Sequence, residues 1–275
     1  MPPSLNIVGC GRVGRSLGRL WSAAGELAVA GIHGRSAASR EAARAFIGGG
    51  QCCPDLASMP HAEAWLLGTP DGAIAGVAES LAASGRVRPG DIVFHCSGAR
   101  SHTLLEPLAC LGAEAASAHP VLSFASPEAA CAAFAGSFVG IEGGAPASRW
   151  LRARFEAIGA RCFAIEPEAK LLYHAGSVFA SNFTVTLLDV ALQAYQAAGL
   201  DHRTASALMA PLVRGAIDNA LALGPAAALS GPAARGDTDT LRDQQQAVSA
   251  WQPEAGRAYE VLTRLALDLA RRKTP

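Results

Sequence analysis

Lysine is nearly absent from this 275-residue chain. Of its 23 basic side chains all are Arg except Lys170 and Lys273. Nor is there an excess of either charge, because 23 acidic groups cancel the basic ones. A nucleic-acid binder or a protein that adheres to anionic membranes would carry surplus Lys and Arg, so neither partner is expected. The seven cysteines, Cys10, Cys52, Cys53, Cys96, Cys110, Cys131 and Cys162, form no Cys-x-x-Cys pair. An odd, scattered set in apolar stretches reads as reduced, buried thiols, not as a disulfide framework or zinc site, and no metal is expected. No charged leader precedes the first apolar run, which reads as the absence of a secretory signal and, with the thiols, as a cytoplasmic protein. Leu171–Leu188 has no Asp, Glu, Lys or Arg over 18 residues, borderline for a membrane span. Its polar His174, Ser177, Ser181, Asn182, Thr184 and Thr186 favour a buried helix instead.

In the first part of the chain, short apolar runs alternate with helical patterns. Strands are expected at Leu5–Gly9, Leu27–His33, Gln51–Cys53, Ala64–Leu67, Asp91–His95, Ala113–Ala118, Phe138–Ile141 and Arg161–Ile165. This is the pattern of βαβ units and a parallel sheet. After Glu166-Pro167 only Ala- and Leu-rich helical stretches remain, about Pro167–Ala198, Arg203–Leu223, Asp239–Val248 and Glu254–Arg271. The fold class is therefore an α/β Rossmann-type domain over residues 1–165, followed by an all-α domain over residues 166–275.

Gly9-Cys10-Gly11-Arg12-Val13-Gly14 is a GxGxxG turn that follows a strand and opens a helix. That context allows a tight turn, close approach of backbone to a pyrophosphate, and anion binding at a helix N-terminus. An NAD site usually places a carboxylate after the second strand to accept from the ribose 2′-OH. Here His33-Gly34-Arg35-Ser36 stands there, and no carboxylate occurs between Glu26 and Glu41. The guanidinium fork of Arg35 and the hydroxyl of Ser36 suit a 2′-phosphate, which favours NADP(H) over NAD. Arg40 adds to this site or is a solvated helix residue. Thr69-Pro70-Asp71 and His95-Cys96-Ser97-Gly98-Ala99 end strands on the same sheet edge, so Thr69, Pro70, Ser97 and Gly98 are expected beside the cofactor. His119-Pro120 also ends a strand, and His119 is a general acid or a structural histidine.

Lys170, His174, Ser177 and Ser181 fall within roughly 60° of one another at about 100° per helical residue, with Asn182 on the flank. Such a polar seam is expected to face a cleft between the domains. An amine there can lose its proton as hydride moves, whereas a guanidinium cannot. The alternative is an ion pair of Lys170 with Glu166 or Glu168. Arg235, in the turn-rich Gly231–Asp237 segment, binds a substrate anion or belongs to a rigid turn capped by Asp237 or Thr238.

Together these motifs resemble the 6-phosphogluconate-dehydrogenase-like superfamily, which includes β-hydroxyacid dehydrogenases, pyrroline-5-carboxylate reductase and prephenate dehydrogenase. His95–Ala99, His119-Pro120, Lys170–Ala175, Ser181-Asn182 and Gly231–Asp237 are more closely similar to two-domain proteins described as NADP oxidoreductases, in which a Rossmann-like domain precedes a helical domain of unassigned function. The resemblance implies a helical domain of the 6-phosphogluconate dehydrogenase C-terminal type and a homodimer formed through it. It also implies that Lys170 takes the place of the proton-transfer Lys of a KxxxN motif. The Asn of that motif is His174 here, and the glycine-rich approach to the Lys is Ile165-Glu166-Pro167-Glu168. His119-Pro120 is similar to prephenate dehydrogenase, but Val121-Leu122-Ser123-Phe124 departs from it.

The combined expectation is an NADP(H)-dependent oxidoreductase acting on a small carbonyl, hydroxy or imine compound. Lys170, His174 and Asn182 would be its catalytic residues, and His119, Ser181 and Arg235 would contact substrate. A non-catalytic NADP-binding regulator is the alternative, and a deazaflavin in place of the nicotinamide is a third reading.

Overall fold

The computed structural model describes residues 1–272, so the second lysine, Lys273, lies outside the described residues. Two compact units divide the chain, Met1–Ser181 and the remainder from Asn182. The division falls beyond the composition change at residue 166.

The first unit is an eight-stranded sheet: β1 (Ser4–Val8), β2 (Ala28–His33), β3 (Gln51–Cys53), β4 (Ala64–Leu67), β5 (Ile92–His95), β6 (Glu114–Val121), β7 (Phe138–Gly143) and β8 (Arg161–Ala164), in the order β3-β2-β1-β4-β5-β6-β7-β8. The first six strands pair in parallel, as their alternation with helices requires. β7 departs from the expected all-parallel sheet by running antiparallel to β6, and β8 then pairs parallel to β7. The helices of this unit are α1 (Arg12–Ala23), α2 (Ala37–Ile47), α3 (Ile74–Ala83), α4 (Glu106–Ala109), α5 (Pro127–Ala133), α6 (Ala145–Ala157) and α7 (Lys170–Val178).

Both sheet faces are covered, which explains why the strands read as near-continuous apolar runs. On one face Leu5, Ile7, Leu66, Phe94 and Ile141 pack with Leu17 and Trp21 of α1 and Leu151 and Phe155 of α6. Trp21 satisfies its indole N–H on the Arg154 carbonyl at 2.9 Å and meets Phe155 edge-on at 5.0 Å. On the other face Val8, Trp65, Leu67 and Val93 pack with Ile74, Ala78 and Leu81 of α3.

His119 does not end its strand, because β6 runs on to Val121. The ladder with β5 stops at His95 opposite Ser117, so from Ala118 onward β6 has only β7 as a neighbour. Pro120 therefore sits where one side of the strand needs no donor.

The second unit is helical: α8 (Thr184–Ala197), α9 (His202–Leu223), α10 (Pro225–Ala228), α11 (Gly231–Arg235), α12 (Thr238–Trp251) and α13 (Pro253–Arg271). Asp201 caps α9 through the Thr204 N–H and Asp237 caps α12 through the Thr240 N–H. α12 and α13 approach closely, since a Cβ at Gly256 would lie 2.4 Å from Ser249 Oγ. A π turn over Phe179–Phe183 joins α7 to α8. The expectation of a buried helix over Leu171–Leu188 fails: α8 has no buried residue, and Leu171, Leu172, Phe179 and Val185 are exposed. Pro167–Ala197 is long and apolar enough to cross a membrane by length and composition alone. Its first turns, however, pack against the sheet, as the site shows.

Candidate active site

The glycine turn leaves β1 at the C-terminal edge of the sheet. Gly9 takes φ +99°, and a Cβ there would lie 2.7 Å from the Gly68 carbonyl carbon. At Gly14 a Cβ would meet the Gly9 oxygen at 2.6 Å. The turn thus presses on itself and on the loop after β4, a closeness only glycine permits. Gly11 is the N-cap of α1, with no side-chain cap and no acid in the first turn, so the first N–H groups of Arg12, Val13 and Gly14 are left for an anion.

The loop after β2 docks on this turn. A Cβ at Gly34 would lie 2.2 Å from Cys10 Sγ. Arg40 donates to the Gly34 carbonyl at 2.8 Å and Arg15 to the Cys10 carbonyl at 2.8 Å, so both brace the loops from within. Arg40 is accordingly not a freely solvated helix residue. Arg35 and Arg12 remain exposed beside the turn. Ser36 caps α2 by accepting from the Ser39 N–H at 3.2 Å, which leaves its hydroxyl proton free to donate. Thr69 adds a buried hydroxyl oxygen without a hydrogen-bond partner on the same edge. A turn too close for a Cβ, an uncapped helix start, exposed guanidinium groups and an orphaned hydroxyl together fit a phosphorylated dinucleotide.

Next along the edge, Gly98 lies under two imidazoles: a Cβ there would be 2.3 Å from His174 Nδ1 and 2.8 Å from His119 Nε2. The His119 and His174 rings meet edge-on at 5.4 Å. Tyr173 Oη lies 2.9 Å from His119 Nδ1. Burial, with the charges of His174 and Lys170, pushes His119 down to about 4, and burial pushes Tyr173 up to about 12. Both are therefore neutral near pH 7. His174 Nδ1 is buried and has no hydrogen-bond partner. His95, by contrast, is fully occupied, with Nδ1 accepting from the Ser97 N–H and Nε2 on the Ser101 carbonyl, and it is structural. Ser97 Oγ is likewise engaged, accepting from the N–H groups of Ala99 and Arg100.

Lys170 is not an open wall of a cleft. It is 1% exposed and turned into the first unit, where Nζ donates to Ser117 Oγ and to Glu142 Oε1 at 3.2 Å. Its ionic partner is Glu142, not the helix-start carboxylates Glu166 and Glu168. Burial lowers Lys170 from its ordinary value, and the Glu142 charge and hydrogen bond oppose that shift. Burial also pushes Glu142 up, but its His102 hydrogen bonds and Lys170 outweigh this and hold it below the usual carboxylate value.

His174, Tyr173, His119, Gly98 and Lys170 are thus brought together, while Ser181 is exposed at the end of the first unit. Asn182 and Arg235 belong to the second unit and are exposed there; Arg235 ends the short helix α11. Sequence reasoning missed Tyr173, Ser117, Glu142 and His102. The signal for Glu142 was available, as a lone carboxylate closing an otherwise apolar strand.

Two sequence profiles match the chain: a Rossmann-like domain over residues 2–120 and a domain of unknown function (DUF2520) over residues 137–266. The second begins in the sheet at β7, so it supplies Glu142, Lys170, Tyr173 and His174, while the first supplies Ser117 and His119. Among solved structures, protein TM1727 from Thermotoga maritima is 25% identical, with TM-score 0.77 over 98% of this chain and 100% of its own. A Bacteroides fragilis protein provisionally named an NADP oxidoreductase is 19% identical, with TM-score 0.77 over 97% and 98%. The Streptomyces aurantiacus imine reductase is 20% identical, with TM-score 0.63 over 98% and 93%. No curated protein matches. The chain thus consists of a Rossmann-like domain followed by the domain of unknown function DUF2520, on a fold it shares with these solved structures.

Proposed function

We propose that this protein is an NADP(H)-dependent oxidoreductase that moves hydride to or from a small carbonyl, hydroxy or imine compound. The observation that carries this reading is one sheet edge holding both an anion-ready glycine turn and a cluster of neutral proton-carrying groups, with His174 Nδ1 unpartnered. Two structural relatives, one provisionally named an NADP oxidoreductase and the other named an imine reductase, support the same class.

In this reading the N–H groups at the start of α1 hold the pyrophosphate, and Arg35, Arg12 and Ser36 hold the 2′-phosphate. Thr69, Pro70, Ser97 and Gly98 line the rest of the cofactor's path. When bound, the cofactor supplies or accepts the hydride. Tyr173 keeps its proton and donates to His119 Nδ1, which leaves the His119 hydrogen on Nε2, facing the space above Gly98. His119 Nε2 and His174 Nδ1 then orient the oxygen or nitrogen of the substrate and exchange its proton. Lys170 places a positive charge beneath the same edge, favouring negative charge that develops on that atom. Ser181, Asn182 and Arg235 are the remaining candidates for substrate contact. Seven free cysteines accord with a reducing, cytoplasmic setting. Exposed Val185, Leu212, Leu221 and Leu265 on three helices of the second unit accord with a homodimer formed there.

The test is a tryptophan-quenching titration with NADPH and NADH, followed by NADPH oxidation over a panel of carbonyls and imines. NADPH is expected to bind more tightly, and Arg35→Ala to weaken it about 10–100-fold while sparing NADH, the range for lost charge-assisted hydrogen bonds. Tighter NADH binding would overturn the cofactor assignment. NADPH held but never oxidised would favour a regulatory binder.

A further inference from the structure

His95, Ser117 and Glu142 are register neighbours across β5, β6 and β7, so they form a polar row on one face of the sheet. All three are buried, and α7 sets Lys170 down on that row. The Glu142 carboxylate is saturated there. Oε1 accepts from Lys170 Nζ at 3.2 Å and from the His102 N–H at 2.6 Å. Oε2 accepts from His102 Nδ1 at 2.5 Å and from the Ser101 hydroxyl at 3.4 Å.

Access to this chain of contacts is one-sided. The Lys170 and Glu142 side chains are each 1% exposed, whereas His102 is 28% exposed. His102 also lines a cavity of about 420 Å³ with Glu142, Ser148, Arg152 and Glu166. The Lys170–Glu142 pair therefore borders this cavity at Glu142 and at the His102 ring bonded to it. The residue types fit the arrangement: a compact ammonium with three donors leaves one unmatched by Ser117 and Glu142, whereas an Arg would bring five N–H donors to the same two side chains.

We propose that Glu142 and His102 are positioning residues, which hold Lys170 charged and in place under the candidate site and couple its charge to the neighbouring cavity through the His102 ring. His102 and Lys170 share the two oxygens of one carboxylate, so a change at either partner alters the other's hold. The other ionisable groups around Lys170 are Cys96 and Asp71 on strand-end loops, His95 on β5 and His119 on β6. Around His102, Arg152 of α6 and Glu166 face the same cavity. Because His174 and Tyr173 lie within the next turn of α7, the anchor at Lys170 also fixes their position. The proposal rests on the oxidoreductase reading only for its effect on turnover.

The near-absence of lysine supplies the measurement. In a Lys273→Arg background, isotope-labelled lysine reports Lys170 alone by NMR, on the full chain and without substrate. Glu142→Gln is expected to move the Lys170 titration down by about 1–3 pH units, the usual effect of losing an adjacent opposite charge. His102→Gln, which takes the ring off the same carboxylate, is expected to move the Lys170 titration by a smaller amount. A Lys170 titration unmoved in folded Glu142→Gln overturns the proposal. Should that variant fail to fold, a Lys170 titration unmoved by His102→Gln overturns it equally. With a substrate in hand, Glu142→Gln should shift the alkaline limb of kcat in step with the Lys170 signal and leave KM nearly unchanged. Coupling seen by NMR with no NADPH oxidation on any substrate upholds the positioning pair and counts against the oxidoreductase reading instead.

Discussion

The two units of this chain use similar Leu- and Ala-rich helices to opposite ends. In the first, helices close both faces of a sheet, and Leu5, Ile7, Leu17, Trp21, Phe94 and Phe155 are fully enclosed. In the second, only Ala205, Ala233, Leu241, Ala255 and Gly256 are buried among helical residues, while Leu221 is 82% and Leu212 61% exposed. Helical periodicity alone does not tell these cases apart, since it specifies an apolar stripe and not what covers it. The first unit encloses its large apolar side chains, whereas the second leaves Leu212, Leu221, Val261 and Leu265 exposed.

The strongest way to break that contrast is by paired truncations. Phe155→Ala should destabilise the first unit by about 3–5 kcal/mol, the range for losing a buried aromatic ring. Leu221→Ala, at a far more exposed position, should change monomer stability by less than about 0.5 kcal/mol. Chemical denaturation at low protein concentration measures both; equal losses would dissolve the distinction. Next in size, Leu212→Glu on α9 should weaken the proposed homodimer by about 2–4 kcal/mol, or roughly 30–1000-fold, by placing a charge in its proposed apolar contact. Sedimentation equilibrium reads that change, and NADPH affinity should stay as before. A Leu212→Glu protein that associates like the unaltered one would remove this helix face from the interface.

Much of the first unit was legible in sequence because its signals are local. The spans of β3 and β4, the GxGxxG turn and the helix after it follow from apolar runs and glycine placement. The antiparallel course of β7 was not legible, because direction is decided by the connection through α5 and not by the strand's own residues. Lys170 stood out by composition, yet its partner lies 28 residues away on β7, a distance only the sheet register closes. Tyr173 was hidden by its setting in an apolar helix, where an aromatic reads as core until His119 is brought to its hydroxyl. The apolar stretch Leu171–Leu188 read as a buried helix for the converse reason: periodicity does not say what covers an apolar residue, and Leu171, Leu172 and Val185 are exposed.

A further expected effect sharpens the comparison through pH. Burial holds His95 and His119 each at about 4, below the ordinary 6.5. Between those values the unfolded chain binds more protons than the folded one, so the first unit is at full strength above pH 6.5 and loses stability as pH falls toward 4. Both of these histidines lie in the first unit, which therefore carries this loss. Three of the four tryptophans, Trp21, Trp65 and Trp150, lie in the first unit, so fluorescence follows it while far-UV circular dichroism follows all the helices. From pH 7 to pH 5 the fluorescence midpoint in thermal melts should drop by several degrees, ahead of the helical signal. His119→Asn should flatten that dependence, since it removes one of the two buried imidazoles. Parallel decline of both signals would mean that the two units unfold as one.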